Sequence, residues 1–485
     1  MPRPRLLSYL LTATFTFSWP GFGSVPAAQA TAPPGAGPPA ADASGVEAEA
    51  RAILEELLVV DTSAGDETKA LKPLAERFRQ AGVAAELIES APGRGNLIAR
   101  LKSTSKKPRR PLLLLAHIDV VPTAGQPWTS SPFQPVLRDG YLVARGVADD
   151  KSMAASIAAV ALDLARTRAP LGRDVIVALT AGEETGGDAG VRWLLAHRRE
   201  LLDAELALNE GGALLLDEQG ERVVSVQLQA AEKSYQSYQV TARAGGGHSS
   251  VPDAATDPVT RLSRALVRLG EFRFPAHVEP SVRDEIARLS TVEAAPLGEV
   301  LRRVAAAPPA APIAPADEAL LAADRRVNAL THTTCVATML AAAPQDNVLP
   351  TSASATINCR ILPSETREGT LATLRRVLGD DKLEIQPLSD IGVAPPSPAG
   401  GVVSEAVRRV AARMFPEARV VHTMGLGASD SRHLRGVGVA AYGIATAPAT
   451  PKELFTAHGP DERRRERWLA PGTRFFRELV RELTR

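Results

Sequence analysis

Short runs of apolar residues alternate with helix-like segments between about Val46 and Gln229, and this alternation constrains the fold most strongly. The runs include PLLLLAHIDVVP, DVIVALTAG and AELALNEGG. They are apolar at consecutive positions, as expected of strands that are buried on both faces. Segments such as VEAEARAILEELLVV and KSMAASIAAVALDLAR lie among them and have the apolar spacing of helices. The pattern predicts an α/β domain with a mixed, mostly parallel sheet flanked by crossover helices.

The pattern changes near Lys233. SYQSYQVTARA alternates polar and apolar residues, which favours a strand with one solvated face. Helix-like segments and two further strands follow, and after PPSPAGG the helix and strand alternation resumes. We therefore predict an α/β domain formed by residues 46–232 and 397–485, interrupted by an inserted α+β lid domain formed by residues 233–396.

The first residues have the composition of a secretory signal peptide. Arg3 and Arg5 precede LLSYLLTATFTF, and the small residues up to Ala30 favour cleavage after residue 30. An uncleaved membrane anchor is the alternative. Residues 31–45 are poor in large apolar side chains and are predicted to be a flexible linker. No later run approaches the ~20 apolar residues of a spanning helix, so we expect an exported, periplasmic or secreted protein without a membrane span after cleavage.

Composition excludes one class of partner. The formal net charge of the 485 residues is +1. A nucleic-acid-binding protein would carry a basic stripe, so we expect no nucleic-acid partner.

The chain has two cysteines, Cys335 and Cys359. The segments TTCVATML and ASATINCRIL favour two strands, and the turn-rich APQDNVLP lies between them. In a hairpin centred near Asn347 the two cysteines would face each other. An oxidising compartment would permit a disulfide, and two buried free thiols are the alternative.

Polar residues follow several predicted strands, at the edge where open α/β sheets form their sites. Each has an ordinary explanation when taken alone: a polar strand end, a helix N-cap, a solvated loop or a structural histidine. Together they form a set of imidazole and carboxylate groups suited to zinc. A two-metal site needs a bridging carboxylate with further ligands on each side, and the candidates are His117, Asp149, Glu184, Glu210 and His458.

Eight motifs surround these candidates and their neighbours: LLLLAHIDVVP, RGVADDKS, TAGEETGG, NEGG, GGGHSSVP, NVLPTSASATINCRILP, GASDSRHL and TAHGPDE. In this order they resemble the motifs of the co-catalytic zinc peptidases of the aminoacylase and glutamate carboxypeptidase family, which includes acetylornithine deacetylase and succinyl-diaminopimelate desuccinylase. The resemblance runs from about residue 46 to the end of the chain.

The resemblance implies two zinc ions, with cobalt or manganese able to substitute. It implies that the five candidates are ligands, with Asp149 bridging and followed by a cis peptide bond. Asp119 would orient His117, and Glu183 would be the general base.

The resemblance also implies residues that contact the substrate. His248 would stabilise the oxyanion and, in a homodimer formed through the lid, would reach the partner's site. Arg360 and Asn347 would hold a substrate carboxylate or carbonyl, and Ser429 would lie on the substrate side.

We therefore expect a metallopeptidase or amidohydrolase that cleaves small N-acyl amino acids or short peptides bearing a carboxylate. A dipeptidase or aminopeptidase of the same family is the first alternative. A non-catalytic binding protein is the second.

Overall fold

The computed structural model describes residues 45–308, 311–343, 345–388 and 394–485. The predicted signal peptide and residues 31–44 of the predicted linker lie outside these ranges. The described residues form eighteen strands: β1 Ala84–Glu89, β2 Gly95–Leu101, β3 Arg109–His117, β4 Val136–Arg138, β5 Tyr141–Val143, β6 Arg173–Thr180, β7 Leu206–Asn209, β8 Ala213–Leu216, β9 Val223–Glu232, β10 Ser234–Arg243, β11 Gly247–His248, β12 Thr334–Ala341, β13 Val348–Leu349, β14 Ser352–Ile361, β15 Glu384–Pro387, β16 Arg419–Gly425, β17 Ala440–Gly443 and β18 Arg463–Arg465.

The described residues also form fourteen α-helices: α1 Val46–Leu58, α2 Glu67–Gln80, α3 Lys151–Arg166, α4 Val191–His197, α5 Pro258–Glu271, α6 Arg283–Leu289, α7 Leu297–Ala306, α8 Pro315–Ala323, α9 Arg325–Thr331, α10 Arg367–Leu378, α11 Val402–Met414, α12 Ser431–Gly436, α13 Pro451–Leu454 and α14 Glu466–Thr484. Short 3₁₀ helices occur at Glu183–Thr185, Arg199–Leu201 and Pro280–Val282. None of the described helices is long and apolar enough to cross a membrane.

The central sheet has nine strands in the order β1-β2-β6-β3-β7-β17-β9-β16, and β8 pairs with β9. The middle strands β6, β3, β7 and β17 run parallel, whereas β2 and β9 are antiparallel to their neighbours β6 and β17. Parallel neighbours place their carboxyl ends at one edge of the sheet, where sites form in such folds. His117 ends β3, and Glu183 and Glu210 follow β6 and β7, so the sheet brings these polar ends together.

Helices cover both faces of the central sheet. Helices α1, α2, α3, α11 and α14 share one apolar core with the sheet, and α4 and α12 share a second core on the other face. Helix α3 is alanine-rich and almost entirely buried. Its small side chains allow α1 to pack closely. Replacing a large buried residue of this helix, such as Leu162, by alanine would lower the free energy of unfolding by about 2–5 kcal/mol.

The inserted segment contains a four-stranded sheet of order β12-β14-β10-β15, with α5 and α10 packed against it. Helices α6 to α9 form another core, which includes Ala231 of β9 and Met424 of β16. These helices therefore pack against the central sheet as well as belonging to the inserted segment. The predicted fold class, an α/β domain interrupted by an α+β lid, is confirmed; the boundaries at residues 233 and 396 stay predictions.

The cysteine hairpin forms as an antiparallel pair of β12 and β14. Cys335 lies directly opposite Cys359, and the two form a disulfide. The sequence left the disulfide and the free thiols open, and the cross-strand register decides between them.

One predicted element begins elsewhere. The sequence after TAHGPDE predicts a terminal helix from Arg463, but Arg463–Arg465 form β18, which pairs with β5. Helix α14 begins at Glu466. The pairing with β5 extends the backbone of these three arginines, and this tertiary contact overrides their helical propensity.

Candidate metal centre

The predicted ligands converge at the carboxyl edge of the central sheet. They come from the end of β3, from the loops after β6 and β7, from the residues before α3, and from the loop after α13: His117, Glu184, Glu210, Asp149 and His458. Segments far apart in sequence thus supply one cluster.

The Asp149 carboxylate lies between the two imidazoles. Its Oδ1 is 3.0 Å from His117 Nε2, and its Oδ2 is 3.0 Å from His458 Nε2. Glu184 Oε1 is 3.0 Å from His458 Nε2, and Glu210 Oε1 is 4.0 Å from His117 Nε2. The cluster therefore has two halves that share Asp149, and each half has one histidine and one glutamate.

The cis peptide bond implied by the resemblance is present between Asp149 and Asp150. Asp150 occupies the N-cap position of α3, yet its side chain accepts no capping hydrogen bond. The N-cap explanation that the sequence allowed is therefore not supported.

Asp119 orients two parts of the cluster at once. Its backbone oxygen is 3.0 Å from His117 Nδ1, and its Oδ1 is 3.4 Å away from the same nitrogen. Its two carboxylate oxygens also accept the backbone N–H groups of Glu183 and Glu184, each at 3.1 Å. Hydrogen bonds to a charged group contribute about 1.5–3 kcal/mol each, so Asp119 fixes both the imidazole and the glutamate turn.

The adjacent glutamates lie on a 3₁₀ turn. Gly182 and Gly186 flank it with φ values of 72° and 95°, a region that favours glycine. The turn breaks the strand alternation that would direct adjacent side chains to opposite faces. Glu184 thus meets His458, while Glu183 lies within 4.8 Å of ligand atoms of His117 and Glu210.

The carboxylates of the cluster are crowded. Burial, together with the charges of Asp430 and Glu184, raises the pKa of Glu183 well above its ordinary value. Burial and the charges of Glu183 and Asp149 raise the pKa of Glu210 in the same way. A pair of divalent cations fits this crowding, because a nearby cation favours the ionised carboxylate.

The histidines respond in the opposite direction. Burial lowers the pKa of His117, but its hydrogen bonds with Asp119 and Asp149 outweigh burial and raise that pKa well above the ordinary value. Hydrogen bonds with Asp149 and Glu184 raise the pKa of His458 to about 10. Both rings are therefore surrounded by acceptors, as ligands of a cation would be.

Sequence reasoning missed Glu462 and Arg145. The buried Glu462 carboxylate accepts the backbone N–H groups of Ala148 at 2.6 Å and Asp149 at 3.1 Å through Oε1. Its Oε2 accepts the N–H of Gly146 at 3.1 Å and pairs with Arg145 Nη1 at 2.7 Å. Both residues lie inside or beside the quoted motifs TAHGPDE and RGVADDKS, and an acidic residue four positions after His458 was the available signal.

The predicted lid residues His248 and Asn347 lie together at the hairpin end. Strands β11 and β13 pair His248 with Val348, and the Asn347 carbonyl accepts the Ser249 N–H at 3.3 Å. Both residues are exposed. Within the described part of the chain, neither makes a hydrogen bond or ion pair with the metal-ligand cluster.

Arg360 lies on β14, opposite Tyr235 of β10 and Thr334 of β12. Its guanidinium is 4.7 Å from the centroid of the Tyr235 ring. Burial lowers its pKa, and the charge of Arg432 lowers it further. No carboxylate among the described residues forms an ion pair with Arg360.

Ser429 is buried. Its hydroxyl donates to Glu232 Oε1 at 3.1 Å, and its backbone N–H donates to Glu232 Oε2. Glu232 also pairs with Arg435. Ser429 therefore lies in a buried hydrogen-bond network, in which its hydroxyl already donates to Glu232.

A pocket of about 170 Å³ adjoins the cluster and is lined in part by Asp149 and Glu210. Its other walls include the apolar side chains of Met153, Ile444 and Leu454. A larger groove of about 690 Å³ runs along α2, but charged surface residues such as Lys69 and Glu76 line it and none of the predicted site residues does.

A second trio of catalytic-looking residues lies apart from the cluster. Ser404 Oγ is 2.9 Å from His422 Nε2, and His422 Nδ1 is 2.7 Å from Asp284 Oδ2. Ser404 is fully buried on α11. A substrate cannot reach its hydroxyl, so this trio joins α6, α11 and β16 rather than forming a nucleophilic site.

Comparisons with known proteins identify the family of this chain. The model of peptidase family M20/M25/M40 matches residues 113–482. Mouse N-fatty-acyl-amino acid synthase/hydrolase PM20D1 is 30% identical over 373 residues, which cover 73% of this chain and 70% of the mouse protein.

Two solved structures share the fold. The M20 family metallo-carboxypeptidase Sso-CP2 from Sulfolobus solfataricus has a TM-score of 0.63 at 18% identity, covering 89% of this chain and 98% of its own. YXEP from Bacillus subtilis, a dinuclear metal binding peptidase of the M20 family, has a TM-score of 0.57 at 15% identity, covering 90% and 98%. The family match spans most of the chain and includes all five residues of the cluster. The chain therefore belongs to peptidase family M20/M25/M40 and is a metal-dependent amide hydrolase.

Proposed function

We propose that the protein is a zinc-dependent hydrolase that cleaves the amide bond of small N-acyl amino acids or short peptides with a carboxylate beside the scissile bond. The observation that carries the proposal is the position of Asp149, which faces one histidine with each oxygen while Glu183 lies beside the pair. The name of the mouse relative, an N-fatty-acyl-amino acid synthase/hydrolase, supports an N-acyl amino acid substrate.

The residues of the cluster suit two zinc ions. Imidazole and carboxylate are zinc's usual nitrogen and oxygen ligands. His117 and Glu210 would hold one ion, His458 and Glu184 the other, and Asp149 both. When bound, zinc supplies Lewis-acid activation of a water molecule and of the scissile carbonyl.

Glu183 is then the general base. Its carboxylate lies next to the ligand atoms of His117 and Glu210 without pairing with a cationic side chain in the described residues. It takes a proton from the attacking water and delivers it to the leaving nitrogen as the amide bond breaks. Asp119 holds the Glu183 backbone in place during both transfers.

Arg360 binds the substrate carboxylate. Its guanidinium is partly buried, has no carboxylate partner in the described chain, and lies near Arg432. A planar guanidinium can donate two parallel hydrogen bonds to a carboxylate. We propose that Asn347 contacts the same end of the substrate. Ser429, through its bonds to Glu232, would support the loop before α12 on the substrate side.

The pocket beside Asp149 and Glu210 receives the acyl side of the substrate. A cavity of ~150 Å³ in another protein binds benzene, and this pocket has about 170 Å³. It therefore has room for a short acyl chain or a side chain of roughly six carbon atoms.

A homodimer completes the site. Strand β12 is an edge strand of the lid sheet, and its Val336, Met339 and Leu340 are exposed at 60%, 67% and 69%. Exposed apolar edges favour pairing with another chain. His248 would then reach the site of the partner subunit and stabilise the oxyanion.

We also infer that the protein is exported, from the N-terminal pattern at residues 1–30, so zinc and substrate would be met outside the cytoplasm.

Glu183→Gln tests the catalytic assignment. The variant keeps the size of the side chain but removes the base, so it should bind zinc normally and lose at least 100-fold in kcat, in line with the ~10²–10⁴-fold contribution of general base catalysis. Zinc content and hydrolysis of N-acyl amino acids and dipeptides are measured together. Full turnover in the variant, or turnover by chelator-treated wild-type protein, would exclude the proposal.

Mixing variants tests the role of the partner subunit. Glu183→Ala and His248→Ala are each expected to be inactive alone. If His248 acts across a two-fold dimer, refolded mixtures regain about a quarter of wild-type activity. Failure of the mixture to regain any activity, with dimers confirmed by sedimentation, places His248 outside the partner's site.

A further inference from the structure

Residues 181–189 form the loop that carries Glu183 and Glu184. The loop folds back on itself: the Gly187 N–H donates to the Gly182 carbonyl at 2.7 Å. At its end, a Cβ on Gly190 would lie 2.0 Å from the Ala181 carbonyl oxygen. Both ends of the loop therefore meet, and their separation sets where the two carboxylates point.

One buried side chain contacts both ends. Asn96 lies on β2, next to β6, and has no solvent exposure. Its Oδ1 accepts the Ala181 N–H at 3.1 Å, and its Nδ2 donates to the Ala189 carbonyl at 2.9 Å. Ser90 Oγ donates to the same carbonyl at 2.6 Å.

We propose that Asn96 is a positioning residue for the metal centre: its amide fixes the separation between the two ends of the loop and thereby aims Glu184 at His458 and Glu183 at the reacting water. The inference rests on the proposed function. This positioning role requires an amide side chain, because an amide presents both an acceptor oxygen and a donor NH₂ group at the end of a short side chain. Aspartate offers only acceptors when ionised, and leucine offers neither.

Asp119 holds the same loop from its middle, at the N–H groups of Glu183 and Glu184. Asn96 holds its ends. The two side chains leave the turn little freedom, as a ligand loop needs in order to keep its geometry before the metal arrives. Asn96 touches no reacting atom, so its effect passes through the loop.

The test compares Asn96→Asp with Ser90→Ala and Asn328→Asp. Asn96→Asp keeps the shape and the acceptor for Ala181 but loses the donor to Ala189. Ser90→Ala removes the second donor to that carbonyl, together with a longer contact of 3.3 Å to the Arg94 carbonyl. Asn328→Asp makes the same amide-to-carboxyl change on α9 and serves as the matched control.

We expect Asn96→Asp to lower zinc affinity, measured by chelator competition, and kcat by about 10–100-fold, the usual effect of changing an outer partner of a metal ligand. KM should change little, because the carboxylate-binding residues are on the lid. Ser90→Ala should show a smaller loss in the same direction, and Asn328→Asp should keep wild-type zinc affinity and kcat.

Wild-type zinc affinity and kcat in a folded Asn96→Asp variant would overturn the proposal, as would an equal loss in Asn328→Asp. If Asn96→Asp fails to fold, Asn96→Gln moves the same amide by one methylene: reduced zinc affinity in the folded glutamine variant supports the role, and wild-type values overturn it. If wild-type protein binds zinc but hydrolyses none of the substrates, the proposed function fails while the zinc measurement still decides the role of Asn96.

Discussion

Replacing Glu462 by glutamine tests whether the loop before α3 is held by one buried carboxylate. The substitution preserves the shape of the side chain. It removes the charge that pairs with Arg145 Nη1 at 2.7 Å and replaces one acceptor oxygen by an NH₂ group. Each Glu462 oxygen accepts hydrogen bonds from two donors. Whichever oxygen position the glutamine NH₂ group takes, the two donors at that position lose their acceptor.

The geometry gives the size of the effect. Both partners of the Arg145–Glu462 pair are buried, with 1% and 0% of their side chains exposed. Removing one partner of a buried ion pair costs about 3–5 kcal/mol. This is a large part of the ~5–15 kcal/mol by which a domain is stable. In the amide orientation that places the NH₂ group at the Oε1 position, the backbone N–H of Asp149 is one of the two donors that lose their acceptor.

The assay combines urea unfolding with zinc binding. We expect Glu462→Gln to lower the free energy of unfolding by about 3–5 kcal/mol and to lower zinc affinity by about 10–100-fold, because the loop that positions Asp149 is loosened. Glu200→Gln removes an exposed carboxylate that pairs with Arg198, and this control should change neither quantity appreciably.

A folded Glu462→Gln protein with wild-type unfolding free energy and wild-type zinc affinity would refute this reasoning. A loss of stability with unchanged zinc affinity would show that the carboxylate supports the fold but does not position Asp149.

Three further predictions concern the lid and its junction with the central sheet. Arg360→Ala should raise KM by about 10–100-fold for carboxylate-bearing substrates, matching the loss of a hydrogen-bonded charge pair, and amidated analogues should be unaffected; equal effects on both would exclude carboxylate binding. Replacing Cys335 and Cys359 together by serine opens a link between residues 24 apart, and chain entropy predicts a loss of about 3–4 kcal/mol in unfolding free energy; a loss below ~1 kcal/mol would contradict the estimate. Burial lowers the pKa of Lys233 from 10.5 to about 7. Between pH 7 and 10.5 the unfolded chain therefore binds one more proton than the folded protein, and the free energy of unfolding should rise with pH across this window. An identical pH dependence in Lys233→Met would exclude Lys233 as the group responsible.

Much of the fold could be predicted because local patterns and tertiary contacts agree. The apolar runs before His117 and Glu183 form buried parallel strands, and the Ala-rich segment from Lys151 to Arg166 forms α3. Such agreement is expected where burial on both faces leaves only one way to satisfy the backbone. The hairpin was also predictable, because its turn residues place Cys335 opposite Cys359.

Other elements could not be predicted from local patterns. Arg463–Arg465 form a strand because β5 offers a partner, and α6 to α9 pack on Ala231 and Met424 because those strand ends are apolar and adjacent. Neither contact leaves a periodic signal in the sequence.

The sequence by itself determined the chemical types at the centre: imidazoles and carboxylates at strand ends, in an order that resembles one family. Only the tertiary structure decided where these side chains point and which of them meet. Asp149 lies between two histidines because β3, the loop before α3 and the loop after α13 meet at one edge of the sheet. Glu183 and Glu184 point to different partners because a 3₁₀ turn, held by Asp119 and Asn96, breaks the strand alternation. The sequence specifies the chemical type of each side chain. The direction in which that side chain points depends on hydrogen bonds to residues far away along the chain.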